Sequence, residues 1–124
     1  MSLVLIADDD PDIRELVSFK LERSGHQVVA AADGDEALAE VRATTPDLVL
    51  LDIMMPRRTG IEVCRELRDD PTTANLPVIL LTAKAQEADV ERGFQAGATD
   101  YIVKPFSPRE LLMRVNTALG RTAP

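Results

Sequence analysis

Five polar residues stand at the ends of short apolar runs, and their side chains share a chemistry. Asp8 and Asp9 follow Leu3-Val4-Leu5-Ile6-Ala7, and Asp52 follows Leu48-Val49-Leu50-Leu51. Thr82 follows Val78-Ile79-Leu80-Leu81, and Lys104 follows Tyr101-Ile102-Val103. Three carboxylates, a hydroxyl and an ammonium suffice to hold a divalent cation and a phosphoryl group. Crowded carboxylates raise one another's pKa unless a cation neutralises them. An oxygen-only ligand set suits Mg²⁺, which takes few protein ligands and keeps several waters. A backbone carbonyl from the loop after Asp52 would add to that set. Asp52 is the best nucleophile candidate, because a carboxylate can accept a phosphoryl group as an acyl phosphate. Such transfer needs positioning and charge neutralisation more than proton chemistry. Lys104 then supplies a second positive point, and the Thr82 hydroxyl donates to a remaining phosphoryl oxygen. No histidine or cysteine base is required.

These residues meet only if the apolar runs are neighbouring strands. Runs of this length separated by helical patterns read as buried parallel strands, and alternation from end to end argues an α/β fold. Parallel strands expose their carboxyl ends on one edge, where open α/β sheets place ligands. The first helix is expected over about Pro11 to Ser24, with Asp10 as N-cap, Ile13, Leu16, Val17 and Leu21 on one face, and Gly25 as its stop. A strand at about Gln27 to Ala31 precedes a helix capped near Asp33 that turns Ala37, Leu38 and Val41 inward. Met54 to Gly60 reads as a loop, Ile61 to Arg68 as a helix broken by Asp69-Asp70-Pro71, and Glu87 to Ala96 as a helix ended by Gly97. Ser107-Pro108-Arg109-Glu110 opens the last helix with a capping box, and Leu111, Leu112, Val115 and Leu119 line its inner face. Five βα units result, a single domain over residues 1–124, with Arg121 to Pro124 reading as the stub of a linker.

Composition narrows the function. With 14 basic and 21 acidic residues the net charge is −7, so direct nucleic-acid binding by this chain is not expected. No apolar run approaches the roughly 20 residues of a membrane helix, and no signal-peptide pattern opens the sequence. The lone Cys64 cannot form an internal disulfide, which fits a cytoplasmic location.

Four segments in this order resemble the receiver domain of bacterial two-component response regulators over essentially the whole length. They are Leu3 to Asp10, Pro46 to Pro56 with Gly60, Pro77 to Ala83, and Gly97 to Phe106. The resemblance implies a flavodoxin-like (βα)5 three-layer sandwich, with a five-stranded parallel sheet in the order 2-1-3-4-5. It implies that Asp52 is the phosphoacceptor, served by a sensor histidine kinase or a phosphotransfer protein. Asp9, Asp52 and the Met54 backbone carbonyl would bind Mg²⁺, with Asp8 holding a metal-bound water. Thr82 and Tyr101 would form a switch pair, Lys104 would bind the phosphoryl group, and Lys104-Pro105 would be a cis peptide. The last third is similar to the winged-helix transcription-factor subgroup. That likeness implies a homodimer through the fourth helix, fifth strand and fifth helix, with Asp100 and Arg114 supplying an ion pair. Val90 and Ala88 depart from the charges that subgroup carries there.

Two other functions compete. An Asp-x-Asp spacing, Asp8 to Asp10, suits a small Mg²⁺-dependent phosphatase with an aspartyl nucleophile, although 124 residues leave no cap and Asp52 would lose its role. A flavin-binding electron carrier on the same fold would need a Ser/Thr/Gly-rich phosphate loop where aspartates stand. On the binding-switch reading the chain catalyses only its own phosphorylation and dephosphorylation. Other residues carry plainer expectations: Cys64 as a small buried residue, His26 as exposed, and Met54-Met55 as loop packing. Arg57-Arg58 reads as a solvated pair, and Lys84 as a residue at the mouth of the site.

Overall fold

The chain's structure, a computed structural model, describes residues 2–83 and 87–120. Its elements are β1 (Leu3–Ala7), α1 (Pro11–Arg23), β2 (Gln27–Ala31), α2 (Gly34–Thr44), β3 (Leu48–Asp52), α3 (Gly60–Asp69), β4 (Val78–Ala83), α4 (Glu87–Gln95), β5 (Asp100–Lys104) and α5 (Pro108–Ala118). Every strand pairing is parallel, and the sheet order is β2-β1-β3-β4-β5. This is the flavodoxin-like arrangement.

Alternate strand residues feed two separate cores. Leu5, Ala7, Val49, Leu51, Val78 and Leu80 pack with α2 and α3 through Ala37, Leu38, Val41, Val63, Cys64 and Leu67. Val4, Ile6, Leu48, Leu50, Ile79 and Leu81 pack on the other face against Val17 and Leu21 of α1 and Leu111 and Val115 of α5. A strand buried on both faces has no polar side to alternate with, which is why these runs are continuously apolar. None of the described helices is long and apolar enough to cross a membrane.

Helix boundaries follow local chemistry. The Asp10 carboxylate accepts from the Asp12 amide (2.9 Å), with Pro11 in the first turn, and Gly25 at φ 92° ends α1. Asp33 caps α2 by accepting from the Glu36 amide (2.8 Å). At α5 the Ser107 hydroxyl accepts from the Glu110 amide (3.1 Å), while the Glu110 carboxylate lies 3.6 Å from Arg114. The full reciprocal box forms instead at Thr59 and Glu62, opening α3.

Several expectations need correction. His26 is buried, not exposed: Gly25 turns the chain beneath α1, and the His26 amide donates to the Leu21 carbonyl (3.1 Å). Leu16 is exposed, because α1 buries only the narrower row of Val17 and Leu21. Met55 packs in the core, but Met54 projects into solvent. Arg58 stays partly exposed, but it is not a free surface cation; it joins Asp35 of α2 (2.8 Å) to Glu66 of α3 (2.7 Å). Cys64 is buried as expected. Lys84 and residues 121–124 lie outside the described residues.

One glycine ties the fold to the strand ends. A Cβ on Gly60 would stand 2.4 Å from the Asp52 carbonyl oxygen, a backbone atom that cannot step aside without moving the end of β3. The Gly60 amide also donates to the Ile53 carbonyl (3.0 Å), closing the intervening loop. Gly60→Ala is therefore expected to destabilise the protein by about 2 kcal/mol, read from urea unfolding. A shift within about 0.5 kcal/mol, the range of an ordinary surface change, would contradict this packing.

Candidate functional site

The sheet order sets β1 beside β3, with Ala7 opposite Leu51, so the residues that follow leave neighbouring strands together. Asp8 and Asp52 are both buried there, and Asp9 is exposed at the rim. Oxygen atoms of Asp8, Asp9 and Asp52 all lie within 4.8 Å of one another. From edge strand β5, Lys104 reaches back over the sheet edge and places Nζ 2.7 Å from Asp8 Oδ2 and 3.4 Å from Asp52 Oδ2. Residues 96 positions apart thus form one charge cluster.

Asp8 is fully engaged. Its amide donates to the Ala31 carbonyl (3.1 Å), and Oδ1 accepts from the Asp10 amide (2.9 Å). Oδ2 accepts from Lys104, and its carbonyl accepts from the Arg14 guanidinium (2.7 Å). Asp52 is held more loosely, with Oδ1 accepting from the Met54 amide at 3.3 Å. Burial, together with the charge of Asp8, pushes the Asp52 carboxyl up to about 6, against the opposing pull of Lys104. For Lys104, burial works against the charged form, but the hydrogen bond to Asp8 and the charges of Asp52 and Asp8 outweigh it and raise its pKa.

The remaining predicted residues lie on β4, β5, the loops that follow β3 and β5, and α5. Thr82 is buried on β4, its hydroxyl donating to the Ala83 carbonyl (3.2 Å). Thr82, Ala83, Val90, Tyr101 and Val103 line a cleft of about 320 Å³. Tyr101 is half-buried, with the Phe94 ring edge-on to it at 5.8 Å. Met54 follows Asp52 by two residues, and in this structure its amide is the group that contacts Asp52. The Lys104-Pro105 peptide is cis. Asp100 and Arg114, expected to pair between copies, pair within the chain at 3.0 Å.

An oxygen-only set of three carboxylates facing one ammonium fits a hard divalent cation such as Mg²⁺. The same geometry disfavours the phosphatase reading. Asp10 does not turn into the cluster beside Asp8; its carboxylate is the cap of α1. Sequence reasoning missed Arg14, which reads as an ordinary helix-surface residue. It also missed the Thr59 capping box, whose Thr-x-x-Glu signature was legible.

Comparison with known proteins agrees with this geometry. The family profile described as "Response regulator receiver domain" matches residues 4–116. The transcriptional regulatory protein ResD of Bacillus subtilis is 48% identical over 120 residues, covering 97% of this chain and 49% of that protein. The phosphate regulon transcriptional regulatory protein PhoB of Escherichia coli is 43% identical over 121 residues, covering 98% of this chain and 53% of that protein. The chain thus spans about half the length of the curated relatives it matches. Among solved structures, the chemotaxis response regulator CheY4 of Vibrio cholerae superposes with a TM-score of 0.90 at 36% identity, covering 95% of this chain and 98% of that one. The receiver domain of NtrX from Brucella abortus gives 0.89 at 32% identity, covering 96% and 99%.

The raised Asp52 pKa sets a pH dependence. A carboxyl at 3.8 when unfolded and about 6 when folded favours the native state fully below the lower value. That contribution is lost as pH rises through the higher one. In chelator, the wild type is therefore expected to lose about 2 kcal/mol relative to Asp52→Asn between pH 4 and pH 7. Urea unfolding of both proteins across this range measures it, and parallel pH curves would refute the assignment.

Proposed function

Because this chain belongs to the response regulator receiver domain family of two-component signalling, we propose that Asp52 is its phosphoacceptor and that phosphorylation resets a partner-binding surface. The single observation that supports this reading most is the contrast among the three acids. Only Asp52 is both close to Lys104 and incompletely bound. In the proposed step, an Asp52 carboxylate oxygen forms a bond to phosphorus while the P–N bond of a donor phosphohistidine breaks. The electron pair leaves with the imidazole nitrogen, which takes up a proton. Lys104 neutralises developing charge on the phosphoryl oxygens.

Asp9, Asp52 and the Met54 carbonyl would hold Mg²⁺ directly, with Asp8 acting through a bound water. The cation, when bound, supplies neutralisation of the carboxylates and of the phosphoryl oxygens. We place the protein in the cytoplasm, its donor a sensor histidine kinase or a phosphotransfer protein. Its own phosphorylation and dephosphorylation are the only reactions it promotes. ResD and PhoB are transcriptional regulatory proteins by name, and for this chain the corresponding output is a partner or attached module that reads the switched surface.

Acetyl phosphate with Mg²⁺ should add a single base-labile phosphoryl group to the wild type, seen by intact mass and mapped to Asp52. Asp52→Asn should lose the label, and chelation should suppress it in the wild type. Undiminished labelling of Asp52→Asn would remove the assignment.

The switch follows from the cleft. A phosphoryl group on Asp52 adds negative charge and acceptor oxygens. Drawing the Thr82 hydroxyl from the Ala83 carbonyl toward them frees space that the Tyr101 ring can enter. Tyr101 is the only tyrosine and there is no tryptophan, so its fluorescence reports on one position. Beryllofluoride with Mg²⁺ should change that signal in the wild type and change it much less in Thr82→Ala. A Tyr101 signal constant at saturation would eliminate the coupling.

A further inference from the structure

Asp9 presents a problem of placement. It is exposed, yet its carboxylate comes within 4.8 Å of atoms on two buried aspartates. An exposed side chain two residues beyond a strand has no packing to hold it, so its position depends on the two peptide planes that flank it. The plane after Asp9 is pinned by its own N–H, since the Asp10 amide donates to Asp8 Oδ1 (2.9 Å). The plane before Asp9 carries the Asp8 carbonyl, and β1 has ended at Ala7, where strand pairing also ends. That carbonyl is taken up by Arg14, whose guanidinium donates to it at 2.7 Å.

Arg14 is well placed for this task. Its amide donates to the Asp10 carbonyl (3.1 Å), so it sits in the first turn of a helix already fixed by the Asp10 cap and Pro11. The side chain is half-buried and folds back toward the strand end rather than into solvent. A peptide is planar and turns as a unit, so holding one oxygen of the plane restricts the backbone dihedrals of Asp9. A charged donor at this distance makes one of the stronger hydrogen bonds available.

We infer that Arg14 is a positioning residue for the cation site: it fixes the Asp8–Asp9 peptide and thereby sets where the Asp9 carboxylate stands. This rests on the reading of Asp9 as a Mg²⁺ ligand. Positioning and charge make opposite demands here. As a nearby positive charge alone, Arg14 repels a divalent cation, and removing it would tighten binding. As a positioning residue its removal loosens binding, because the ligand it aims is lost from its place.

Mg²⁺ titration of the whole chain by calorimetry, on wild type, Arg14→Met, Arg14→Lys and Asp9→Ala, separates these cases. Arg14→Met should weaken Mg²⁺ binding about tenfold, the usual order for loss of a group that orients a ligand. Arg14→Lys, which keeps a charged donor, should retain most of the affinity. With chelator present and no metal, the Asp9 amide resonance should shift and its hydrogen exchange should quicken in Arg14→Met. Unchanged or tighter Mg²⁺ binding by Arg14→Met overturns the inference, as does an unaltered Asp9 amide. Undiminished binding by Asp9→Ala overturns the metal reading beneath it, a result distinct from either.

Discussion

A carboxylate with no exposure to water cannot stay charged without a partner, and Asp8 has found one in the Lys104 ammonium, 2.7 Å away. Taking two such ions out of water costs several kcal/mol each after relaxation, on the order of what a close contact with full hydrogen bonding returns. That constraint explains why Lys104 crosses the sheet edge from β5 and why every polar group of Asp8 is engaged. It also explains the state of Asp52. The ammonium serves Asp8 first, at 2.7 Å against 3.4 Å, so Asp52 is buried beside a like charge with only part of its compensation. Its raised pKa is the consequence.

The two sides of the cluster are built differently. On the β3 side the loop is closed by the Gly60 to Ile53 hydrogen bond (3.0 Å), stopped by the Thr59 capping box, and tied through Arg58 to both α2 and α3. A Cβ on Gly34 would stand 2.4 Å from the Arg58 carbonyl oxygen, so the first turn of α2 rests directly on this loop. On the β4 side Thr82 makes a longer bond to its neighbour's carbonyl beside an open cleft. Stiffness therefore surrounds the acids, and room surrounds the hydroxyl and the tyrosine. Such a division suits a site that must hold charge in a fixed place while transmitting its arrival elsewhere.

Much of this was legible beforehand because strand ends are written plainly in the sequence. Continuous apolar runs mark strands buried on both faces, and the polar residue that ends each run falls on the same edge whatever the loop lengths. Asp8, Asp9, Asp52 and Lys104 converge for that reason. The strand order came from the family resemblance, since periodicity alone does not order parallel strands. Side chains that fold back on the chain escaped notice. Arg14, Arg58 and His26 look like surface residues by type and spacing, and their contacts depend on turns at Asp10, Arg57 and Gly25. Asp100 and Arg114 are matched by the sign of their charges, and within the single chain they meet at 3.0 Å.

Three carboxylates against the Lys104 ammonium leave two negative charges in the cluster when all are ionised. A divalent cation would balance them. Converting Asp52 to an acyl phosphate removes its own charge and adds a phosphoryl group carrying about −1.5 to −2. The cluster then has an excess of negative charge again, now on oxygens projecting beyond the carboxylate. Asp8 cannot release Lys104 without stranding a buried ion, so the ammonium must be shared. Among the described residues, the Thr82 hydroxyl is a donor not yet committed to charge, and its present bond to the Ala83 carbonyl links two neutral groups. A hydrogen bond to a charged acceptor is roughly twice as strong as a neutral one. On the proposed phosphorylation of Asp52, the electrostatics of the acids would thus supply the direction in which Thr82 moves.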